Sequence, residues 1–317
     1  MIMKMHGYNL GKFSAAFIAA FIGIGMVSVC PAQNVDSYYS QSAAANSAAQ
    51  RHAPQARPGQ AGPDRMAEAA WHGKPEGNAP QLSRSQLENI GRRIWQNEAG
   101  GSVQGLTSWN SGENFASLGI GHFIWYPAGQ SGPFEESFPA LLRYMRRSGV
   151  SLPGWLTNAR GCPWPSRREF QRAQDSQKMR ELRTLLSKTV ALQTQFIVNR
   201  LHDATPKMQQ AAGRDGRKIA ANIRLLGQTS AGNFAMIDYV NFKGEGLKAS
   251  ERYRGQGWGL LQVLQEMRTP ASAQAAPAEF ARAAKAVLTR RVQNSPPQRN
   301  ERQWLRGWLN RVDSYAR

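Results

Sequence analysis

Glu98 occupies the position in this sequence best suited to proton transfer. Leu87, Gly91, Ile94 and Glu98 are spaced 4, 3 and 4 apart, so on a helix they share one face. Ser85 followed by Glu88 reads as a capping box that starts such a helix, and Gly100-Gly101 ends it. Glu98 then lies on the apolar stripe in the last turn. Burial disfavours a carboxylate there, and the negative end of the helix dipole disfavours it further. A carboxyl that keeps its proton is what a general acid near neutral pH requires. The same spacing also fits a surface or salt-bridged glutamate at a helix end.

Beyond that helix, Thr107-Ser-Trp-Asn-Ser-Gly-Glu113 leads into Ser117-Leu-Gly-Ile-Gly-His-Phe-Ile124. A helix-terminal Glu followed by this run resembles the phage-type lysozymes (endolysins). The resemblance implies an α+β fold, a mostly helical lysozyme-like domain with a small β-hairpin lobe. It implies that Glu98 is the general acid, that Ser117 stands where the family has a Thr, and that His122 closes the motif. It also implies a second acid on the hairpin, for which Glu113 is the candidate and Asn110 its rival. The chain departs from the family in two ways. The stretch between Glu98 and the Gly-Ile-Gly-His run is longer, and Glu113 replaces an Asp and sits nearer to Ser117. The firm resemblance covers residues 85–126, and from there to about 268 only the run of helices matches. A weaker echo lies at Phe234-Ala-Met-Ile-Asp-Tyr-Val-Asn-Phe-Lys-Gly-Glu-Gly246, an apolar helix ending in a glycine-containing turn that would return toward the cleft.

Glycosidic cleavage needs an acid on the leaving oxygen and a group that activates water or stabilises the oxocarbenium-like charge. If Glu113 faces Glu98 across a gap of roughly 6.5–9.5 Å, inverting hydrolysis follows. If it points away, Glu98 acts alone as acid and then base, as in lytic transglycosylases, with a hydroxyl of the sugar as nucleophile. Gly119 and Gly121 are expected on one side of a strand, where missing side chains let a sugar or a helix approach closely. His122 is either a hydrogen-bond donor near Glu98 or a structural histidine. Ser117 either holds a water in the cleft or is a plain strand hydroxyl. Trp109, Trp125 and Tyr126 are candidates to stack on sugar faces, with core packing as the alternative.

The elements that must position these groups are mostly helical. Apolar residues recur at threes and fours over 167–187, 191–202, 216–226, 233–242, 258–267, 280–292 and 302–315, the last with Trp304, Trp308, Val312 and Tyr315 on one stripe. Residues 102–126 instead carry Gly, Asn and Ser punctuation around β-branched and aromatic residues, with a turn expected at Asn110-Ser111-Gly112. Residues 1–33 read as a signal peptide: Lys4 and Lys12, an apolar run from Phe13 to Val27, and cleavage after Ala32, an uncleaved anchor being the alternative. Residues 34–81 are an Ala/Gln/Pro-rich tether too polar to offset its ordering entropy. Residues 82–268 are expected to form the lysozyme-like domain and 269–317 a linker with C-terminal accessory helices. The expected location is periplasmic or secreted.

The chain has 317 residues, net charge +19, 41% hydrophobic and 19% charged residues, which excludes a disordered protein. Two cysteines, Cys30 and Cys162, exclude a disulfide scaffold or a Cys-based zinc module. The five histidines never reach an HExxH spacing. Pro133 after Gly129-Gln-Ser-Gly132 rules out a nucleophile elbow, and Gly255-Gln-Gly-Trp-Gly259 lacks the strand that precedes a dinucleotide loop. No cofactor or metal is expected. The partner expected is the peptidoglycan glycan strand, whose carboxylates attract a basic protein. A catalytically silent glycan-binding or scaffold protein on the same fold is the alternative. Specific nucleic-acid binding is not expected, because Arg143, Arg146, Arg147, Arg167, Arg168 and Arg311 lie far apart and read as diffuse solvated charge.

Overall fold

The computed structural model describes residues 82–132 and 134–317, so the expected signal peptide, tether and Cys30 lie outside the described residues. The first helix, α1, spans Arg84–Ala99. Its cap is Ser83, which accepts from the Gln86 amide at 3.2 Å while Gln86 Oε1 accepts from the Ser83 amide at 2.8 Å. The capping box therefore sits two residues before the expected Ser85 and Glu88. The apolar flanks explain the shift: Leu82 and Leu87 take the two positions of a hydrophobic staple around Ser83, and both pack into the core. Glu88 instead pairs along the helix with Arg84 at 3.1 Å. The helix ends as expected, with Gly100 at φ +60° and its amide returning to the Gln96 carbonyl at 3.1 Å.

A three-stranded antiparallel meander follows: β1 (Thr107–Ser108), β2 (Ala116–Leu118) and β3 (Phe123–Trp125). Leu118 pairs with Phe123, so residues 119–122 are the β2–β3 turn. The expected strand placement of Gly119 and Gly121 is thus corrected. The turn is held from beneath by a buried amide: Gln193 Oε1 accepts from the Ile120 amide at 3.0 Å, and the Gly119 amide donates to Leu106 at 2.8 Å. Gly119 has φ +71°, and a Cβ on it would lie 2.3 Å from Gln193 Oε1, so any side chain there is strained and displaces the Gln193 amide.

The rest is helical: α2 (Phe138–Arg147), α3 (Gly154–Thr157), α4 (Arg167–Arg172), α5 (Gln177–Lys188), α6 (Val190–Ala211), α7 (Gly216–Gly227), α8 (Ser230–Lys243), α9 (Leu260–Glu266), α10 (Ala276–Asn294) and α11 (Arg302–Asp313). A short antiparallel hairpin, β4 (Arg252–Tyr253) and β5 (Gln256–Gly257), precedes α9. The helix expected over 167–187 is two, because Ser176 caps the second by accepting from the Met179 amide at 3.3 Å. Helix α6 is longer than expected and continues through Pro206. Among the described residues no helix is long and apolar enough to cross a membrane.

The fold is α+β, mostly helical with a small sheet, and one core runs through it. The C-terminal helices are not accessory to it. Phe280 of α10 lies 5.7 Å from Tyr239 and 5.8 Å from Tyr315, ring to ring, and Tyr315 lies 5.6 Å from Phe234. The Ala/Pro-rich stretch at 269–277 is a connection within this core rather than a boundary.

Helix α1 is seated on α6 at Gly91, where a Cβ would lie 2.4 Å from Thr194 Oγ1 and 2.6 Å from Val190 Cγ1. Gly91→Val should cost about 3 kcal/mol through overpacking, far more than a change of helix propensity. A urea unfolding midpoint unchanged from the wild type would contradict this packing.

Candidate active site

Glu98 ends α1 with its side chain only 10% exposed. Its Oε1 accepts from Arg311 Nη2 at 2.7 Å and from Asn241 Nδ2 at 3.2 Å, and its Oε2 lies 3.6 Å from His122 Nδ1. Three elements besides α1 therefore meet at this carboxyl: the β2–β3 turn, α8 and α11. His122 reaches it from a left-handed backbone, φ +49°, that closes the turn. Gly121 lets that turn approach α8, since a Cβ on it would lie 2.9 Å from Asn241 Oδ1.

Asp238 and Asn241 are three residues apart and so share a face of α8. Asp238 is fully buried and accepts from Arg311 Nε and Nη2, both at 2.8 Å, from the Tyr315 hydroxyl at 2.5 Å and from Asn97 Nδ2 at 3.3 Å. One guanidinium thus bridges two carboxylates. Burial alone would lower the pKa of Arg311, but Asp238 and Glu98 outweigh it and hold it well above the ordinary arginine value. Burial and the neighbouring Asp238 likewise push the Tyr315 hydroxyl well up, so it stays a donor.

This environment differs from the expected one. The helix spacing placed Glu98 among apolar neighbours, whereas the folded chain sets it against a buried cation. Arg311, expected as solvated charge, has a side chain only 10% exposed.

Glu113, the expected second acid, is held locally. It folds back on its own turn, where Oε1 accepts from Asn110 Nδ2 at 3.1 Å and Oε2 is buried without a partner among the described residues. Burial raises its pKa, opposed by the bonds to Asn110. Asn110 is thereby committed to Glu113 rather than replacing it. Ser117 is buried within β2, its carbonyl accepting from Ser108 Oγ at 3.2 Å.

The aromatic candidates are core residues. Trp125 is 1% exposed and lies 4.9 Å from the ring of Phe138. Trp109 packs edge-on against Phe170 at 5.7 Å and donates to the Glu113 carbonyl at 2.8 Å. Tyr126 packs against Phe115 at 5.4 Å and exchanges bonds with Phe134. None of the three is placed to stack on a sugar. Burial pushes the Cys162 thiol up to about 12, which removes it as a nucleophile.

Of the expected site residues, the structure brings Glu98 and His122 together and, apart from them, Glu113 with Asn110 and Trp109. Sequence reasoning missed Asp238, Asn241, Arg311 and Tyr315 as their partners. The echo at 234–246 contains the first two, but no local pattern ties Arg311 to a residue 213 positions away. Among the described residues no cluster of His, Cys, Asp or Glu could hold a metal ion. Compared with protein-family models, curated proteins and solved structures, the chain finds no match.

Because folding raises the pKa of Glu113, the charged form costs stability above that value and the cost fades as pH falls toward 4.5. Glu113→Gln should therefore melt higher than the wild type at pH 7, by about 2 °C for a domain of this size. The difference should shrink on acidification; thermal melts showing it grow instead would refute the assignment.

Proposed function

We propose that the protein is an exported enzyme that cleaves the β-1,4 glycan strands of peptidoglycan, with Glu98 as the general acid. The observation that carries this reading is the meeting of Glu98 with the Gly-Ile-Gly-His turn. The segments that resemble the phage-type lysozymes touch through the 3.6 Å approach of His122 to Glu98. A helix-terminal carboxyl beside a small β lobe suits a lysozyme-like arrangement. The basic balance suits a wall rich in carboxylates, and the apolar N-terminal run with its lysines suits export.

In the proposed reaction a protonated Glu98 delivers its proton to the glycosidic oxygen as the C1–O bond breaks. A protonated Glu98 gives up the charge-assisted bond to Arg311, which stays held by Asp238 through Nε and Nη2. Glu113, bound to Asn110 and disfavoured as an anion, is poorly suited to activate water. A single-carboxylate route therefore accounts for the arrangement better. Glu98, having lost its proton, takes one from the sugar's 6-hydroxyl as that oxygen bonds to C1. The products are a 1,6-anhydro end and a new 4-hydroxyl, and the acid is restored.

One observation favours the alternative of a catalytically silent wall-binding protein: Glu98 is engaged by a buried cation at 2.7 Å. A zymogram on purified cell walls separates the two. The wild type should clear the wall, and Glu98→Gln should lose clearing by about 10²–10⁴-fold while still binding wall material. Undiminished clearing by the variant removes Glu98 from the chemistry, and binding without clearing by the wild type selects the silent reading. Mass spectrometry of the products should show anhydro ends, whereas reducing ends would restore a water-activating group to the mechanism.

A further inference from the structure

We propose that Lys243 is a positioning residue of this site, whose protonation sets how firmly Arg311 holds Glu98; the inference rests on Glu98 being the acid. Lys243 is the last residue of α8, the helix that carries Asp238 and Asn241. Its side chain is buried, 1% exposed, and its amine has no hydrogen-bond partner among the described residues. The nitrogen is wedged between two rings, 3.9 Å from the centroid of Phe242 and 3.6 Å from that of Trp308. The guanidinium of Arg311 lies over the same Phe242 ring at 4.1 Å, and that of Arg291 lies 5.0 Å from Trp308. Arg311, Phe242, Lys243, Trp308 and Arg291 thus form a continuous series of cationic groups and rings. Glu98 and Asp238 bind one end of it. Glu301 binds the other, accepting from Arg291 at 2.8 and 2.9 Å and from the Tyr253 hydroxyl at 2.8 Å.

The charged groups that act on Lys243 come from every side: Arg291 from α10, Arg311 from α11, Glu301 just before α11, and Glu98 from α1. Burial, with the two arginines, pushes its pKa well below the ordinary 10.5, against the pull of Glu301 and Glu98. The geometry agrees with an uncharged amine. An ammonium has three donors to satisfy, and the two ring faces supply no acceptor oxygen. Protonation adds attraction to the rings and to Glu98, but it also places a second cation against the Phe242 ring that Arg311 occupies. The grip of Arg311 on Glu98 then weakens, and the carboxyl is freer to meet a substrate oxygen. Such coupling is reciprocal, so the charge on Glu98 must alter the proton affinity of Lys243 equally.

The test is an NMR titration of the full chain carrying ¹³C-labelled lysine, with the Lys243 signal assigned by its loss in Lys243→Met. Neutralising the partner in Glu98→Gln should lower the Lys243 midpoint by on the order of one unit, tenfold in proton affinity. Lys243→Met should fold and melt higher than the wild type. The wild-type penalty is largest at low pH and disappears as pH rises toward 10.5, so the gain shrinks in that direction. The pH profile of wall clearing by this variant should lack one ionisation present in the wild type, a change that lost packing alone does not produce. A Lys243 midpoint unmoved in Glu98→Gln overturns the proposal, as does a variant profile that overlays the wild type. A moved midpoint in a protein that clears no wall supports the coupling and refutes the glycan-cleaving reading.

Discussion

The bridging of Glu98 and Asp238 by the single guanidinium of Arg311 is the interaction on which the rest of the site depends. Two carboxylates brought this close inside a protein repel each other and lose their hydration. Arg311 answers both costs at once, with two bonds to Asp238 and one to Glu98. Tyr315 and Asn97 supply the remaining donors to Asp238, so the fully buried carboxylate is satisfied on both oxygens. Because Arg311 and Tyr315 both come from the last residues of the chain, the C-terminal helices are part of the site. The apolar stripe of α11 seats them: Trp308 and Val312 are buried, as is Tyr315 in the turn that follows the helix.

The β lobe works by close packing rather than by offering a sugar-binding face. Its glycines let the β2–β3 turn settle onto α6 and α8, where Gln193 takes the Ile120 amide and Gly121 stands against Asn241. That approach brings His122 beside Glu98. The tryptophans and tyrosine that flank the turn fill the space behind it, against Phe138, Phe170 and Phe115. An aromatic residue on a three-residue strand beside a large helical body finds a hydrophobic partner more readily than an exposed position.

Local features were legible in advance, and non-local ones were not. The face of α1 shared by Leu87, Gly91, Ile94 and Glu98 and its stop at Gly100 follow from spacing and backbone chemistry within a few residues. So does the turn at Asn110–Gly112, where Gly112 has φ +84° and the Glu113 amide returns to the Asn110 carbonyl at 3.3 Å. The cap of α1 was misplaced by two residues because Ser83 and Ser85 are both competent, and packing of Leu82 chose between them. The strand assigned to Gly119 and Gly121 failed because a buried glutamine from α6 redirected their backbone.

By itself the sequence determined the helical periods, the punctuation between them, the small β segment and the placement of one glutamate on a buried helical face. These depend on interactions within a turn or two of chain, where residue type and spacing are sufficient. Only the tertiary structure decided that this glutamate faces Arg311, that His122 is brought beside it, and that the last helix completes the core. Those outcomes depend on which distant surfaces exclude water together. A charge with nothing beside it in sequence is indistinguishable from a solvated one until the chain closes around it.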